Sequence, residues 1–292
     1  MTYAADSFDT LPQMPSWVTS ARAVSFEDVA FLTGVALSHL HLVLSQDAAP
    51  HSLVRARLAL RAAEACVTQQ GRLERAVELR DAVAFLQPGD NPGPAGEIYL
   101  SWHRAVERPV SIKTLDRALP EIDTDQIATW LDVGRGAPVA RAVSVLQAVL
   151  ADRPRDTATA LIIAEAALAQ MLGWTHLNPL LTLGLKRADL RKTGADLRLA
   201  CHRAIVLAAA EATREAADLT RRATRLKEAA PKLRAKGANQ ALALFLMRDA
   251  VAPTALKSLR SDRAARRFCD RLVGLGAVRE LTGRDTFRLY GV

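Results

Sequence analysis

The sequence predicts an all-α protein, an irregular multi-helix bundle ending in a winged helix-turn-helix with a small β-hairpin wing. Three observations carry this. Ala, Leu, Arg and Glu dominate the 292 residues and aromatics make up only 5%, which favours helix over sheet. Apolar residues recur at helical spacing through most of the chain, between breaks marked by Pro and Gly. The last stretch, Gly237–Val292, departs from this pattern, with three short helical segments followed by two β-like runs around Thr282-Gly283-Arg284-Asp285. The expected organisation is a lead-in over 1–24, a helical bundle over 25–236 and the winged module over 237–292.

Residues 1–24 read as loosely ordered, broken by Pro12 and Pro15, with Trp17 placed to pin them down. Ser25 offers an N-cap with Asp28 three residues on, the spacing of a capping box. Phe26–Ser45 follows as an apolar helix. His39 and His41 on it are two apart, so they point to different faces and do not chelate one metal together. Leu53–Gln70 is a second helix, ended by Gly71, and Arg72–Leu86 a third. The run 88–96 is the clearest loop, a tight connector into a helix Glu97–Arg108 that carries Tyr99, Trp102 and His103. No Gly-Lys-Ser/Thr follows it, and Glu97 stands where an anion would lie, which argues against a phosphate site.

Ser111–Leu119, Asp123–Val133 and Pro138–Ala151 read as short helices, with Ser111 and Asp123 as N-caps. A helix from Asp156 or Thr157 to Leu172 is apolar nearly all round and belongs at the centre of a bundle. Its one acid, Glu165, needs a partner there, and an arginine from a neighbouring helix is expected. Gly173-Trp174-Thr175-His176 interrupts the pattern and Leu177–Lys192 resumes it. Ala195–Ala230 forms one long helix ended by Pro231. Leu197, Cys201, Ile205, Ala208, Ala212, Leu219 and Leu226 line its apolar face, and Arg198, Arg221, Arg222, Arg225 and Lys227 make much of the remainder basic.

Beyond a hinge at Gly237, the winged module is expected to have helices Ala238–Ala250, Pro253–Leu259 and Asp262–Leu275, then hairpin strands Ala277–Leu281 and Thr286–Gly291. On the third helix, Ala265, Phe268, Cys269, Leu272 and Leu275 form one apolar stripe at about 100° per residue. Arg263, Arg266, Arg267, Asp270 and Gly274 face the other way. Arginines there sit where a recognition helix meets base edges and phosphates. Lys257 and Arg260 add phosphate-reaching charge, Arg284 lies at the turn of the wing and Arg288 on its returning strand.

The net charge of +8 is uneven: from Lys186 on, 24 Lys and Arg stand against 11 Asp and Glu, whereas the first 185 residues hold 15 against 20. Such asymmetry suits a C-terminal part that faces a polyanion. Cys66, Cys201 and Cys269 are scattered without metal spacing and read as buried apolar residues of a reducing cytoplasm. The N-terminus lacks a secretory pattern, and the most apolar run, Ala158–Leu172, is shorter than the roughly 20 residues that span a bilayer. A cytoplasmic location with no membrane partner is therefore expected. The six histidines form no metal motif, and the chain holds no GxSxG elbow, Walker A or GxGxxG after a strand. No catalytic residue, metal or cofactor is expected. Were the chain an enzyme, its pocket would gather Glu165, Trp174, His176 and His202.

Several phrases resemble a bacterial family of uncharacterised proteins, domain of unknown function 1403. They are 27–32 (Glu-Asp-Val-Ala-Phe-Leu), 61–66 (Arg-Ala-Ala-Glu-Ala-Cys), 88–96, 230–237 (Ala-Pro-Lys-Leu-Arg-Ala-Lys-Gly) and 278–284 (Val-Arg-Glu-Leu-Thr-Gly-Arg). That resemblance implies no activity, substrate or site residues. The run 271–284 is also similar to the winged tail of some Fic/Doc proteins, which implies a helical body with a winged tail. The Fic loop His-Pro-Phe-x-x-Gly-Asn-Gly-Arg is absent. The nearest string, His176-Leu177-Asn178-Pro179, lacks the anion cradle, so the resemblance does not carry AMP transfer.

The leading expectation is a non-catalytic DNA-binding or regulatory protein acting on duplex DNA through its winged tail. The alternative is a module for a protein partner, or a degenerate Fic-like enzyme relic, whose winged tail is structural.

Overall fold

The computed structural model describes residues 11–20, 25–87, 89–284 and 286–292. The expected lead-in therefore lies outside the described residues except at 11–20, as do Pro88 of the connector and Asp285 of the hairpin turn. Thirteen α-helices are present among the described residues: α1 Ser16–Ser20, α2 Phe26–Leu44, α3 His51–Gln69, α4 Ala76–Ala84, α5 Gly93–Glu107, α6 Ile112–Ala118, α7 Thr124–Leu131, α8 Pro138–Asp152, α9 Thr157–Met171, α10 Leu180–Gly184, α11 Gly194–Ala229, α12 Ala238–Met247 and α13 Asp262–Gly274. Two short strands, β1 Arg279–Glu280 and β2 Tyr290–Gly291, pair antiparallel. The all-α expectation holds.

Local signals place most helix ends. The Ser25 N–H donates to Asp28 Oδ2 (2.9 Å) and the Asp28 N–H to Ser25 Oγ (3.1 Å), the reciprocal pair of a capping box. Ser111, Asp123 and Asp156 cap α6, α7 and α9 by accepting from Thr114, Asp125 and Thr159 backbone N–H groups. Two starts shift. Glu78 Oε2 takes the Arg75 N–H at 2.9 Å, so α4 begins at Ala76 rather than at Arg72. α5 begins at Gly93 rather than at Glu97, because Pro94 fits a first turn, where its missing N–H costs nothing. Asn91 Oδ1 already accepts from the Gly93 N–H there (2.7 Å).

The chain groups into two compact units that do not follow chain order. One comprises Ser16–Leu37 and Arg55–Ala209, the other Met1–Pro15, Ser38–Val54 and Ala210–Val292. Gly237, the expected hinge, lies inside the latter. α2, α3 and α11 each contribute to both.

In the first of these units α9 is the central element. Every residue from Ala158 to Ala169 is buried, and α8 packs on it through Val139, Ala142, Val143, Leu146 and Val149. Trp102 of α5 is fully buried, and its indole N–H donates to Cys66 Sγ at 3.3 Å. A buried indole needs such a partner.

Leu177–Lys192 is not one helix. Only Leu180–Gly184 is α-helical, followed by a 3-10 turn at Asp189–Arg191. Two tertiary demands cut it short. Its first turn hands the Thr182 N–H to Glu165 (2.9 Å), and Gly184 lies against the α11 backbone, where a Cβ would sit 2.3 Å from Ala204 O.

The other unit contains the basic half of α11, α12, α13 and the strands. The expected apolar face of α11 is buried at each of the seven positions named. Its basic face is solvated, with Arg221, Arg225 and Lys227 exposed and Arg222 half-buried. Among the described residues α2 is the one helix long and apolar enough to cross a membrane by length and composition. One face of it is buried, through Val29, Leu32, Thr33, Ala36, Leu37, Leu40 and Val43.

Candidate nucleic-acid interface

Gly237 is the residue before α12. Its φ of +90° suits glycine. A Cβ here would lie 2.2 Å from Ser258 O, and the Ser258 hydroxyl donates to Gly237 O at 3.0 Å. Gly237 thus holds the start of α12 against the turn before α13. The expected second helix, Pro253–Leu259, is instead a single 3-10 turn at Pro253–Ala255. Leu256 and Leu259 are buried beyond it, so burying these two leucines takes precedence over continuing the helix.

α13 is built as anticipated. Ser261 caps it by accepting from the Ala264 N–H at 3.2 Å. It ends where the Gly276 N–H donates to Val273 O and the Ala277 N–H to Leu272 O, a Schellman closure. Ala265, Phe268, Cys269 and Leu272 are buried and Leu275 is half-buried. Arg263, Arg266, Arg267, Asp270 and Gly274 are exposed, as are Lys257, Arg260 and Arg284. Ser261→Ala should cost about 1 kcal/mol, the usual worth of an N-cap. Urea unfolding of the two proteins measures it, and an unchanged midpoint would show that the cap adds nothing.

Arg288 differs from the others. It is half-buried, its Nε–H donates to Arg284 O at 2.8 Å, and it bonds the Tyr290 side chain. This guanidinium braces the hairpin. Glu280 does the same at the turn, accepting from the Thr282 N–H (2.7 Å), the Thr282 hydroxyl and the Gly283 N–H (3.0 Å). Burial alone would raise the Glu280 carboxyl, but these hydrogen bonds and the charge of Arg288 hold it below its ordinary value.

Glu165 and His202 are both buried and hold different partners. Glu165 Oε1 accepts from the Thr182 N–H and, at 3.3 Å, from its hydroxyl, while Oε2 has no hydrogen-bond partner among the described residues. The partner is a threonine at the start of α10, not the arginine expected. The free amides of a first helical turn satisfy an acid without bringing a second charge into the core. Desolvation pushes this carboxyl up to about 8, against the Thr182 hydrogen bonds. Thr33 Oγ1 donates its proton to a carbonyl, Val29 O at 2.7 Å, so it accepts from His202 Nδ1–H at 3.1 Å. Phe26 meets the ring edge-on, and burial together with Arg198 lowers the His202 pKa. Trp174 and His176 lie half-buried in the turn after α9. Burial pushes all three thiols, Cys66, Cys201 and Cys269, up to about 12, which leaves them poor nucleophiles. No group of three or more His, Cys, Asp or Glu that could hold a metal is found among the described residues.

The model of a family described as protein of unknown function (DUF1403) matches residues 2–292. The chain belongs to this family. No curated protein matches the chain.

Three features of this DUF1403 chain escape sequence reasoning. Val251, between α12 and the 3-10 turn, forms a two-way backbone bridge with Tyr290 (2.8 and 3.0 Å), adding a third strand-like segment beside β2. The Cβ-less Gly291 permits it, since a Cβ there would lie 2.6 Å from Asp249 O. A hollow of about 690 Å³ at the start of α12 is lined by Arg234, Lys236, Asn239, Gln240, Ser258 and Arg260. The basic approach 232–236 signalled its charge but not its shape. Third, Glu280 organises the hairpin turn, and only its position two residues before Thr282 hints at it.

Proposed function

We propose that Gly237–Val292 is a winged helix-turn-helix and that the protein is a cytoplasmic, non-catalytic regulator that binds duplex DNA through it. One observation carries this reading: the arginines of α13 are exposed on the face opposite its buried stripe. A helix held this way can enter a major groove with its N-terminal arginines toward base edges. Lys257, Arg260 and Arg284 flank it as phosphate contacts, and the basic hollow at the start of α12 gives the backbone a second seat. Arg288 supports the wing from behind. The Val251–Tyr290 bridge joined to β1–β2 gives the three-segment sheet on which such a wing is built.

Fluorescence anisotropy with a random-sequence duplex of about 20 base pairs tests it. Six exposed cations predict a loss of about a thousandfold in affinity between about 50 and 200 mM salt. Changing Arg263, Arg266 and Arg267 together to Ala should weaken binding by at least about a hundredfold. A triple variant that is folded by circular dichroism and binds as tightly as the unaltered protein would sink the assignment.

A further inference from the structure

The C-terminal hairpin holds one bulky residue in a strained conformation. Phe287 has φ +54°, the one non-glycine residue with a positive φ among the described residues. A Cβ crowds the following carbonyl oxygen there, so the conformation costs stability. The strain does not serve to bury the ring, which is 69% exposed. Val278, Leu289 and Tyr290 of the same hairpin are buried, and Leu281 is half-buried. The backbone is fixed on both sides of Phe287. The Leu281 N–H donates to Leu289 O at 2.8 Å, the Arg288 Nε–H donates to Arg284 O at 2.8 Å, and Glu280 holds the turn at Thr282 and Gly283. Strain of this kind persists only where the surroundings over-determine it, and it concentrates at functional positions. The hairpin also stands beside the arginine face of α13. The Tyr290 hydroxyl lies 3.5 Å from Oδ1 of Asp270, an exposed residue of that face. The exposed Arg284 precedes Phe287 by three residues.

We infer that Phe287 is a wedge: it enters the minor groove of a duplex at a deformable base step, partly unstacks that step and kinks the duplex. The inference rests on the DNA-binding reading above and adds the feature of the duplex that is recognised. An apolar ring set among cations suits this partner. The cations meet the phosphates on either side, and the ring meets the π-faces that every base offers. A backbone fixed in advance leaves less freedom to lose on insertion. The opposing cost is unstacking. It is least at pyrimidine–purine steps such as TA and CA, and it is greater in stiff A-tracts. The hairpin therefore selects flexible steps without hydrogen bonds to the bases.

Two duplexes of about 20 base pairs, dye-labelled at both ends, test it with the full chain, one with central TA steps and one with an A-tract. The unaltered protein should bind the TA duplex about tenfold more tightly than the A-tract. Energy transfer between the dyes should rise on binding, as a kink of about 20–90° requires. Phe287→Gly should lose about tenfold in affinity for the TA duplex, the usual worth of one stacked base, and the bend with it. No charge is removed, so this variant should keep the salt dependence of the unaltered protein, whereas the Arg263→Ala/Arg266→Ala/Arg267→Ala chain flattens it. Glycine adopts a positive φ without strain, so Phe287→Gly should melt within about 3 °C of the unaltered protein or above it. No duplex binding by the unaltered protein overturns the DNA-binding reading and the wedge together. Binding with equal affinity for the two duplexes, binding without a bend, or a Phe287→Gly chain that binds and bends the TA duplex undiminished overturns the wedge alone. A larger fall in the melting temperature of Phe287→Gly would show that the ring braces the hairpin, which also overturns the wedge.

Discussion

Glu165→Gln should flatten the pH dependence of stability between about pH 4.5 and 8 and make the protein more stable at pH 9. The Glu165 carboxyl is raised from 4.5 to about 8, chiefly by desolvation. The folded state thus keeps a proton that the unfolded chain releases above about 4.5. The stability this lends is fully present below the unfolded value, falls as pH climbs toward 8 and is gone above it. At about 1.4 kcal/mol per pH unit, the loss across this window is on the order of 5 kcal/mol. Glutamine offers Thr182 the same acceptor and brings no charge, so its stability should not fall there. His202 is depressed rather than raised. It works in the opposite direction, adding stability as pH rises through its unfolded value, and it is common to both proteins. Urea unfolding of both chains at about one-unit steps from pH 5 to 9 isolates the Glu165 contribution as their difference. Parallel curves would show that Glu165 is ionised in the fold throughout this range.

Gly184→Ala should cost about 3 kcal/mol or more. The added Cβ would lie 2.3 Å from Ala204 O, 2.5 Å from its Cα and 2.6 Å from its carbonyl carbon. These are backbone atoms of α11, which cannot turn aside as a side chain would, so the helices must part. Parting them also pulls Thr182, two residues earlier, away from Glu165. The useful contrast is Gly34 in α2, where a Cβ would meet nothing within 4 Å. Gly34→Ala should be neutral or stabilise by up to about 1 kcal/mol, through helix propensity alone. Unfolding midpoints of the two variants check both statements. Equal effects would mean that the α10–α11 approach is looser than these distances say.

Elements whose ends are set by neighbouring residues were readable in advance. Ser25 with Asp28, Ser111 and Asp123 act on backbone groups a few residues away, so their chemistry is visible in one dimension. The same holds for the amphipathic faces of α11 and α13, where period and charge agree and the arginines of α13 are exposed as anticipated. The candidate site was less legible where one residue carries two potential roles. Arg288 and Arg263 look alike as basic residues. Only position shows that the former braces the hairpin through Arg284 O.

The all-α class, the run of caps and breaks, and the outward arginines thus follow from local spacing, because a helix satisfies its own backbone within four residues. Packing alone determined the rest. The long apolar pattern of Leu177–Lys192 is interrupted because Glu165, buried on α9, needs an amide at Thr182 and because α11 must approach Gly184. Pro253–Leu259 tightens to a single turn so that Leu256 and Leu259 reach the core. A buried polar group is satisfied by whichever backbone reaches it, and two chains approach closely wherever a side chain is missing. Both are facts of three-dimensional proximity, which local spacing does not encode.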